Sequence, residues 1–319
     1  MGSQIDLSLI VPVKDEEEAI EAFVLRSVAV LDALRSPDGE ALRWEILFVD
    51  DGSRDATLAA IDSAHRKNPA IRAISLSRNF GKEAALTAGL DFARGAVVIP
   101  IDVDLQDPPE IIPQMLERWR EGHDVVYGVR RDRKLDSWAK QWTADLYYRT
   151  HNRLSRDKIP EHAGDFRLLD RRVVDLIRQM PERNRFMKGL FAWGGFRQAA
   201  VEYDRAERSA GGTKFNYWKL WTLALDGITS SSTVPLRIWS YVGGLAALIG
   251  LLYAVWIVVR TLIYGSEVQG YPSLLVAILV FGGLQLLSLG ILGEYVGRIW
   301  VEVKQRPLYV VQQRIGMDD

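Results

Sequence analysis

Three short apolar segments of this chain each end abruptly in carboxylates, and this pattern constrains the fold more than any other feature. They cover residues 7–13, 45–49 and 99–101. Segments with helical spacing of apolar residues lie between and after them, at 19–34, 56–66, 83–92 and 110–119. The alternation of strand and helix predicts a doubly wound α/β domain with a mostly parallel sheet. In such a sheet ligands bind at the carboxyl ends of the strands, where these acids lie.

The acids after the third segment form a candidate metal site. Asp102, Asp104 and Gln106 are spaced two apart, and on an extended chain they point to the same face. Mg²⁺ or Mn²⁺ commonly takes one or two carboxylates and completes its coordination with water and substrate phosphates. The spacing therefore predicts a cation that binds a nucleotide diphosphate. A solvated acidic turn before a helix at Pro108 is the alternative.

Other motifs narrow the class of ligand. Neither G-x-G-x-x-G nor G-x-x-x-x-G-K-[ST] occurs, which counts against a dehydrogenase or a P-loop enzyme. The net charge is only −1, but basic residues are concentrated at 130–134 and 205–214. In the second group Gly211 and Gly212 would let the backbone close around phosphate oxygens between Arg208 and Lys214. A flexible linker to a membrane is the alternative for that segment, and nothing beyond the arginines supports nucleic-acid binding.

The last third of the chain predicts a membrane anchor. Residues 238–259 and 274–293 contain no charge, and each run can cross a hydrocarbon core of about 30 Å. Lysines and arginines flank the pair of runs, which predicts two transmembrane helices with both termini in the cytoplasm. Residues 217–230 fit an interfacial helix or a core helix equally well. The short apolar stretch at residues 7–13 predicts no secretory signal, and the absence of cysteine excludes disulfides and thiol catalysis.

Several motifs together resemble the family-2 glycosyltransferases. They are Pro12-Val13-Lys14-Asp15-Glu16-Glu17, Val49-Asp50-Asp51-Gly52-Ser53-Arg54-Asp55 and Asp102-Val103-Asp104. Further segments resemble the polyprenyl-phosphate branch, especially bactoprenol glucosyltransferases and dolichol-phosphate mannose synthases: Leu76-Ser77-Arg78-Asn79-Phe80-Gly81-Lys82-Glu83, Asp104-Leu105-Gln106-Asp107-Pro108-Pro109, Gly164-Asp165-Phe166-Arg167-Leu168 and Gly293-Glu294-Tyr295-Val296-Gly297-Arg298. The resemblance extends over the whole chain. One departure is Lys14-Asp15, where the family commonly has an aromatic residue followed by Asn.

The resemblance implies a GT-A domain at the bacterial inner membrane. It also implies that this domain transfers glucose from UDP-glucose to undecaprenyl phosphate, with inversion at the anomeric carbon. The expected nucleotide-sugar ligands are Pro12, Asp15, Glu17, Asp50, Asp51, Lys82, Asp102, Arg208 and Lys214, and the expected metal ligands are Asp102, Asp104 and Gln106. The expected catalytic residues are Asp104, Asp165, Arg208 and Lys214, and those for the acceptor phosphate are Arg130, Arg131 and Arg167. Because a polyprenyl phosphate is already an anion, Asp165 either orients a substrate or acts as a base.

The predicted organisation is a cytoplasmic catalytic domain at 1–215, an interfacial segment at 216–236, two transmembrane helices at 237–298 and a cytoplasmic tail at 299–319. Relatives with two such spans imply a homotetramer. Transfer of mannose or aminoarabinose is the alternative activity. A processive polysaccharide synthase lacks support because Q-x-x-R-W is absent. A non-enzymatic nucleotide-binding membrane scaffold and a transporter component are the alternatives from other classes.

Overall fold

The computed structural model describes residues 5–131, 163–183, 185, 187–204, 234–264 and 270–317. The strands are β1 Leu7–Val13, β2 Trp44–Asp50, β3 Ile71–Leu76, β4 Val97–Pro100, β5 Val125–Arg130, β6 Ala163–Asp170, β7 Gln198–Tyr203 and β8 Val311–Ile315. The helices are α1 Glu17–Ala33, α2 Thr57–Lys67, α3 Lys82–Phe92, α4 Ile112–Arg120, α5 Arg171–Gln179, α6 Met187–Trp193, α7 Val234–Tyr264 and α8 Tyr271–Lys304, with a 3₁₀ turn at Pro109–Ile111 before α4. The four helices predicted in the first 120 residues are confirmed to within a few residues.

One mixed sheet organises the part of the chain that is described. Its order is β7-β5-β6-β4-β1-β2-β3-β8. The central strands β4, β1, β2 and β3 are parallel. This confirms the parallel arrangement predicted for β1, β2 and β4, whereas β3 was not predicted as a strand. On one side β6 runs antiparallel to β4 and β5, and on the other β8 runs antiparallel to β3. Strands β5 and β7 pair in parallel with each other. The prediction of a mostly parallel sheet therefore holds for six of the eight strands described, and only β6 and β8 run in the opposite direction.

Apolar layers cover both faces of the sheet, which is why the central strands are mostly apolar. Alternate residues point to opposite faces. On one face Leu9 and Phe48 belong to a core that includes Phe23 of α1, whose ring lies edge-on to that of Phe48 at 5.9 Å between centroids. On the other face Ile10 and Leu47 join residues of α3, α5 and α6. The two layers fix the carboxyl edge of the central strands as a rigid platform.

The two charge-free runs lie within α7 and α8, which contact each other. By length and hydropathy, one helical segment of the described chain suffices to cross a membrane. It is Val280–Lys304, with 25 residues and a mean hydropathy of 1.3. Large apolar side chains are exposed on both helices, including Leu262 at 81% and Leu286 at 71%. The second predicted span stays a prediction, and residues 216–233 of the predicted interfacial segment lie outside the described residues.

Much of the segment predicted as a cytoplasmic tail at 299–319 is ordered and packs on the catalytic domain. Helix α8 continues to Lys304, and residues 311–315 return to the catalytic domain as strand β8. The Glu302 carboxylate accepts hydrogen bonds from the Arg183 backbone N–H at 2.8 and 3.0 Å. The Tyr309 hydroxyl donates to Asp91 at 2.8 Å. Because a bare β3 would leave unpaired backbone groups at the sheet edge, β8 completes the domain.

Candidate active site

Two adjoining cavities lie at the carboxyl edge of the central strands. The larger, which we call the outer cavity, has a volume of about 600 Å³ and is lined by Lys14, Asp15, Asp50, Gly52, Ser53, Arg54, Leu58, Ser75, Leu76, Ser77, Arg78, Asn79, Gln312 and Gln313. The inner cavity, of about 380 Å³, is lined by Pro12, Val13, Lys14, Glu16, Asp51, Asn79, Gly81, Lys82, Ala85, Asp102, Val103 and Asp104. Lys14 and Asn79 line both. The structure thus brings together most of the predicted nucleotide-sugar ligands that it describes.

The acids after β1 bind the loop that follows β2. The Asp15 carboxylate accepts a hydrogen bond from the Arg54 backbone N–H at 2.8 Å, and its own N–H donates to Ser53 Oγ at 2.9 Å. The Glu17 carboxylate accepts from the Ala56 N–H at 2.7 Å. The bond from Arg54 lowers the pKa of Asp15 despite slight desolvation, and Lys14 at 3.4 Å adds to the effect. Asp15 and Glu17 therefore hold the rim of the outer cavity in place.

Two acids at the end of β2 are buried and accept hydrogen bonds from other residues of the protein: Asp50, the last residue of the strand, and Asp51, which follows it. Asp50 is 2% exposed and accepts from the Ser53 N–H at 2.9 Å and from the Ser75 hydroxyl at 2.7 Å. Asp51 is 5% exposed and accepts from the backbone N–H groups of Phe80 and Gly81, at 2.7 and 2.9 Å. Asp51 thereby fixes the segment that leads into α3.

A close approach of two loops shapes the boundary of the outer cavity. Gly52 has a φ of +67°, and a Cβ atom there would lie 2.7 Å from the Arg78 carbonyl carbon. Arg78 is itself stacked on Phe80, with its guanidinium carbon 4.1 Å from the ring centroid. Only glycine readily adopts this positive φ and also leaves room for the Arg78 backbone, because it has no Cβ atom.

Lys82 and Asp102 form an ion pair within the inner cavity. Lys82 Nζ lies 2.8 Å from one Asp102 carboxylate oxygen and 2.9 Å from the other. Both side chains remain about two-fifths exposed. Lys82 is the first residue of α3, and Asp102 follows β4, so two elements of the sheet edge deliver opposite charges to one place.

The sequence predicted that Asp102, Asp104 and Gln106 lie on one face of an extended chain as metal ligands, and this geometry is wrong. Strand β4 ends at Pro100, and the chain then turns, with Leu105 at a φ of +57°. The Gln106 N–H donates to the Asp104 carboxylate at 3.2 Å, and Gln106 is only 8% exposed. Asp102 and Asp104 line the inner cavity, whereas Gln106 does not. A turn, unlike a strand, does not place alternate side chains on one face.

A pair of carboxylates still fits Mg²⁺ or Mn²⁺, which need only one or two from the protein. Within the described ranges no group of three or more His, Asp or Glu side chains is arranged to hold a metal. Asp102 and Asp104 are therefore the residues that would hold such an ion, together with oxygens of the substrate.

Other predicted site residues are distributed as follows. Asp165 lies in β6 and Arg130 in β5, where the backbone but not the side chain is described, and Arg208 and Lys214 lie outside the described residues. The exposed Arg131 forms an ion pair with Glu202 at 3.3 Å. Arg167 is 4% exposed, with its guanidinium carbon 4.3 Å from the centroid of the Phe191 ring. The prediction that Arg167 binds the acceptor phosphate conflicts with this burial.

Sequence reasoning missed several residues of the outer cavity. Ser53, Arg78 and Asn79 lie within motifs that were recognised, and their position after parallel strands is a signal that could have identified them. Gln312 and Gln313 follow the long helices α7 and α8 and carry no such signal.

Comparisons with known proteins agree with this architecture. A family model described as glycosyl transferase family 2 matches residues 8–178, and one described as the GtrB C-terminal hairpin matches residues 234–299. A glycosyltransferase of Synechocystis sp. is 50% identical, over 98% of this chain and 97% of its own length. A prophage bactoprenol glucosyl transferase homolog of Escherichia coli K12 is 51% identical, over 96% and 98%. A prophage-derived bactoprenol glucosyl transferase of Shigella flexneri is 52% identical, over 96% and 97%. With a family match over more than half of its length and relatives of this similarity over nearly all of it, the chain belongs to glycosyl transferase family 2.

Proposed function

We propose that this protein transfers glucose from UDP-glucose to undecaprenyl phosphate, with inversion, at the cytoplasmic face of the bacterial inner membrane. The observation that carries the proposal is the inner of the two adjoining cavities, which is lined by Asp102, Asp104 and Lys82. Relatives about half identical to the chain are named bactoprenol glucosyl transferases, which supports both the sugar and the acceptor.

The donor would extend across both cavities. The nucleoside occupies the outer cavity, whose rim Asp15, Asp50 and Glu17 hold in place, and the diphosphate and sugar occupy the inner one. A divalent cation held by Asp102 and Asp104 would offset the charge that develops on the leaving diphosphate. Lys82 brings a positive charge to the same place.

The acceptor supplies its own nucleophile. A phosphate monoester loses its second proton near a pKa of about 6, so at neutral pH it needs little help from a base. We therefore assign Asp165 the task of orienting a substrate. Arg130 and Arg131 are the proposed contacts for the acceptor phosphate, and Arg208 and Lys214 those for the leaving diphosphate.

The position of β8 supports two membrane crossings. Strand β7, which ends at Tyr203, and strand β8, which begins at Val311, belong to the same sheet. Between these points lie α7 with 31 residues and α8 with 34, both longer than the roughly 20 residues that a span requires. A single crossing would leave β8 on the opposite side of the membrane from β3. An even number of crossings is therefore needed, and we propose that α7 and α8 provide two. A homotetramer stays a prediction.

The test is transfer of radiolabelled sugar into an organic-extractable lipid. The full chain in detergent is given undecaprenyl phosphate, Mg²⁺ or Mn²⁺ and, in separate reactions, UDP-glucose, GDP-mannose and a nucleotide-linked aminoarabinose. We expect incorporation from UDP-glucose and its loss on chelation of the metal. Transfer from another donor alone would favour the alternative activity, and no transfer from any donor would favour a binding scaffold.

Asp104→Ala tests the metal site within the same assay. We expect it to abolish nearly all transfer, because it removes one of the two carboxylates proposed to hold the ion. Asp62→Ala is the matched control, since Asp62 lies on α2 and pairs only with the exposed Arg66 among the contacts described. Metal-stimulated turnover retained by Asp104→Ala would refute the assignment.

A further inference from the structure

The last strand of the sheet contributes to the outer cavity, although it follows the membrane helices. Gln312 and Gln313 of β8 line this cavity beside Ser75 of β3. In register, Gln313 lies opposite Ser75, and Ser75 lies opposite Asp50. The Ser75 hydroxyl donates to Asp50 at 2.7 Å. A row of polar side chains therefore crosses three strands and ends on β8.

An irregularity in the pairing adds a second glutamine to this wall. The register shifts between Ser75 and Leu76, so Leu76 lies opposite Val311 and Gln312 is the additional residue. Such bulges bend a strand and redirect its side chains, often beside a binding site. Both glutamines are exposed. They are therefore accessible to a ligand in the cavity.

Both cavities have charged side chains in their walls, and the outer one includes Lys14, Asp15, Asp50, Arg54 and Arg78. They differ in their remaining wall residues. The inner one carries Asp102, Asp104 and Lys82, which suit a diphosphate with its cation. The outer one includes neutral hydrogen-bonding groups, among them Ser53, Ser75, Ser77 and Asn79 besides the glutamines, and the apolar Leu58 and Leu76. A flat heterocycle with donors and acceptors on its edge fits this second set. Each glutamine amide offers both a donor and an acceptor to such an edge.

We propose that Gln312 and Gln313 contact the nucleobase of the donor and contribute to its selection. The inference rests on the proposed function, since it requires a nucleotide sugar in the two cavities. For uracil, an amide oxygen accepts from the ring N–H and an amide NH₂ donates to a ring carbonyl. The specificity site is thus completed by a segment that follows the membrane anchor.

The location of these residues determines which kinetic constant they affect. They lie at the far end of the donor from Asp102 and Asp104, so their contact with the base is the same in the ground state and in the transition state. Removal of such uniform binding raises KM and leaves kcat unchanged. A contribution to the chemical step would lower kcat instead.

The experiment compares Gln312→Ala and Gln313→Ala with Gln114→Ala, an exposed glutamine on α4 that lines neither cavity. Calorimetry on the full chain in detergent gives the Kd for UDP, CDP and GDP, and the lipid-transfer assay gives kcat and KM. We expect each cavity variant to weaken UDP binding roughly three- to tenfold, the net value of one hydrogen bond. We also expect it to narrow the preference for UDP over CDP and GDP and to keep kcat within about twofold. The Gln114 variant should match wild type.

Gln312→Glu separates loss of the contact from loss of strand docking. It retains the length of the side chain but removes the amide donor, so we expect weaker UDP binding with an unchanged melting temperature. UDP affinity and selectivity unchanged in all cavity variants, while wild type binds UDP and transfers glucose, would overturn this inference alone. Failure of wild type to bind UDP would overturn the proposed function. A fall in kcat at constant KM would also contradict the assignment to the base.

Discussion

Asp51 should act mainly as a positioning residue, and its removal should destabilise the protein even without a nucleotide. Its carboxylate accepts from the Phe80 and Gly81 N–H groups at 2.7 and 2.9 Å and is 5% exposed. Hydrogen bonds to a charged group contribute about 1.5–3 kcal/mol each. Because Phe80 and Gly81 are only half-buried, water can bind their N–H groups in the variant and replace part of this stabilisation. We therefore expect Asp51→Ala to cost about 2–3 kcal/mol.

Thermal unfolding of the full chain in detergent, without nucleotide, measures this effect. At about 2–4 °C per kcal/mol, the expected fall in Tm is roughly 4–12 °C. Asp51→Asn keeps one acceptor oxygen but turns an NH₂ group towards the second N–H, so its Tm should lie between those of wild type and Asp51→Ala. Asp62→Ala, which removes an exposed helical ion pair, should shift Tm by no more than about 2 °C.

Donor affinity provides the second measurement. The segment that Asp51 fixes includes Asn79 and leads to Lys82, which line the cavities. Asp51→Ala should therefore also raise the KM for the donor. If Asp51 were only a direct ligand of the nucleoside, affinity would fall while the Tm without nucleotide stayed at the wild-type value. That result would refute the reasoning.

Two further changes test other parts of the fold. Gly52→Ala should weaken UDP binding at least tenfold, because its Cβ would lie 2.7 Å from the Arg78 backbone. Gly39→Ala is the control, since Gly39 has a similar positive φ but no atom within 4 Å of an added Cβ, and this variant should bind UDP as wild type does. Equal UDP affinities of the two variants would contradict the steric argument. Glu45→Gln should cost about 2–4 kcal/mol of unfolding free energy, since the 1% exposed Glu45 side chain pairs with Arg72 at 2.6 Å. Burial opposes ionisation of Glu45, but bonds from Ser8, Arg94 and Arg72 outweigh it and lower its pKa in the folded state. Its contribution is therefore complete above the ordinary value of 4.5 and is lost as pH falls through the folded pKa. Unfolding at a series of pH values should show the variant approaching wild type in acid, and a widening gap would contradict the sign.

The sequence predicted the centre of the fold because β1 and β2 are buried on both faces and are therefore mostly apolar, apart from Ser8 in β1 and from Glu45 and the terminal Asp50 in β2. Strand β6 escaped prediction, since its buried Arg167 interrupts the apolar pattern and its place between β4 and β5 depends on distant pairing. Strand β8 is short and polar, and only the open edge of β3 makes it a strand.

The candidate site was predicted by composition more than by geometry. The acids after the strands do lie together, but a positive φ at Leu105 cannot be inferred from alternation, so the extended arrangement of Asp104 and Gln106 failed. The tasks of Asp15, Glu17 and Asp51 were also not apparent, because a carboxylate that binds backbone N–H groups has the same local sequence as one that binds a ligand.

The pairing of β3 with β8 imposes an order on biosynthesis. Arg72 Nε donates to the carbonyl of Gly316, which lies 244 residues further along the chain. At roughly 5–20 residues per second, a ribosome needs about ten to fifty seconds to synthesise that stretch. During this time the apolar β3 has an open edge, which is a template for aggregation. The nascent catalytic domain therefore keeps this open edge until α7, α8 and β8 have all been synthesised, because only then can β8 close the sheet.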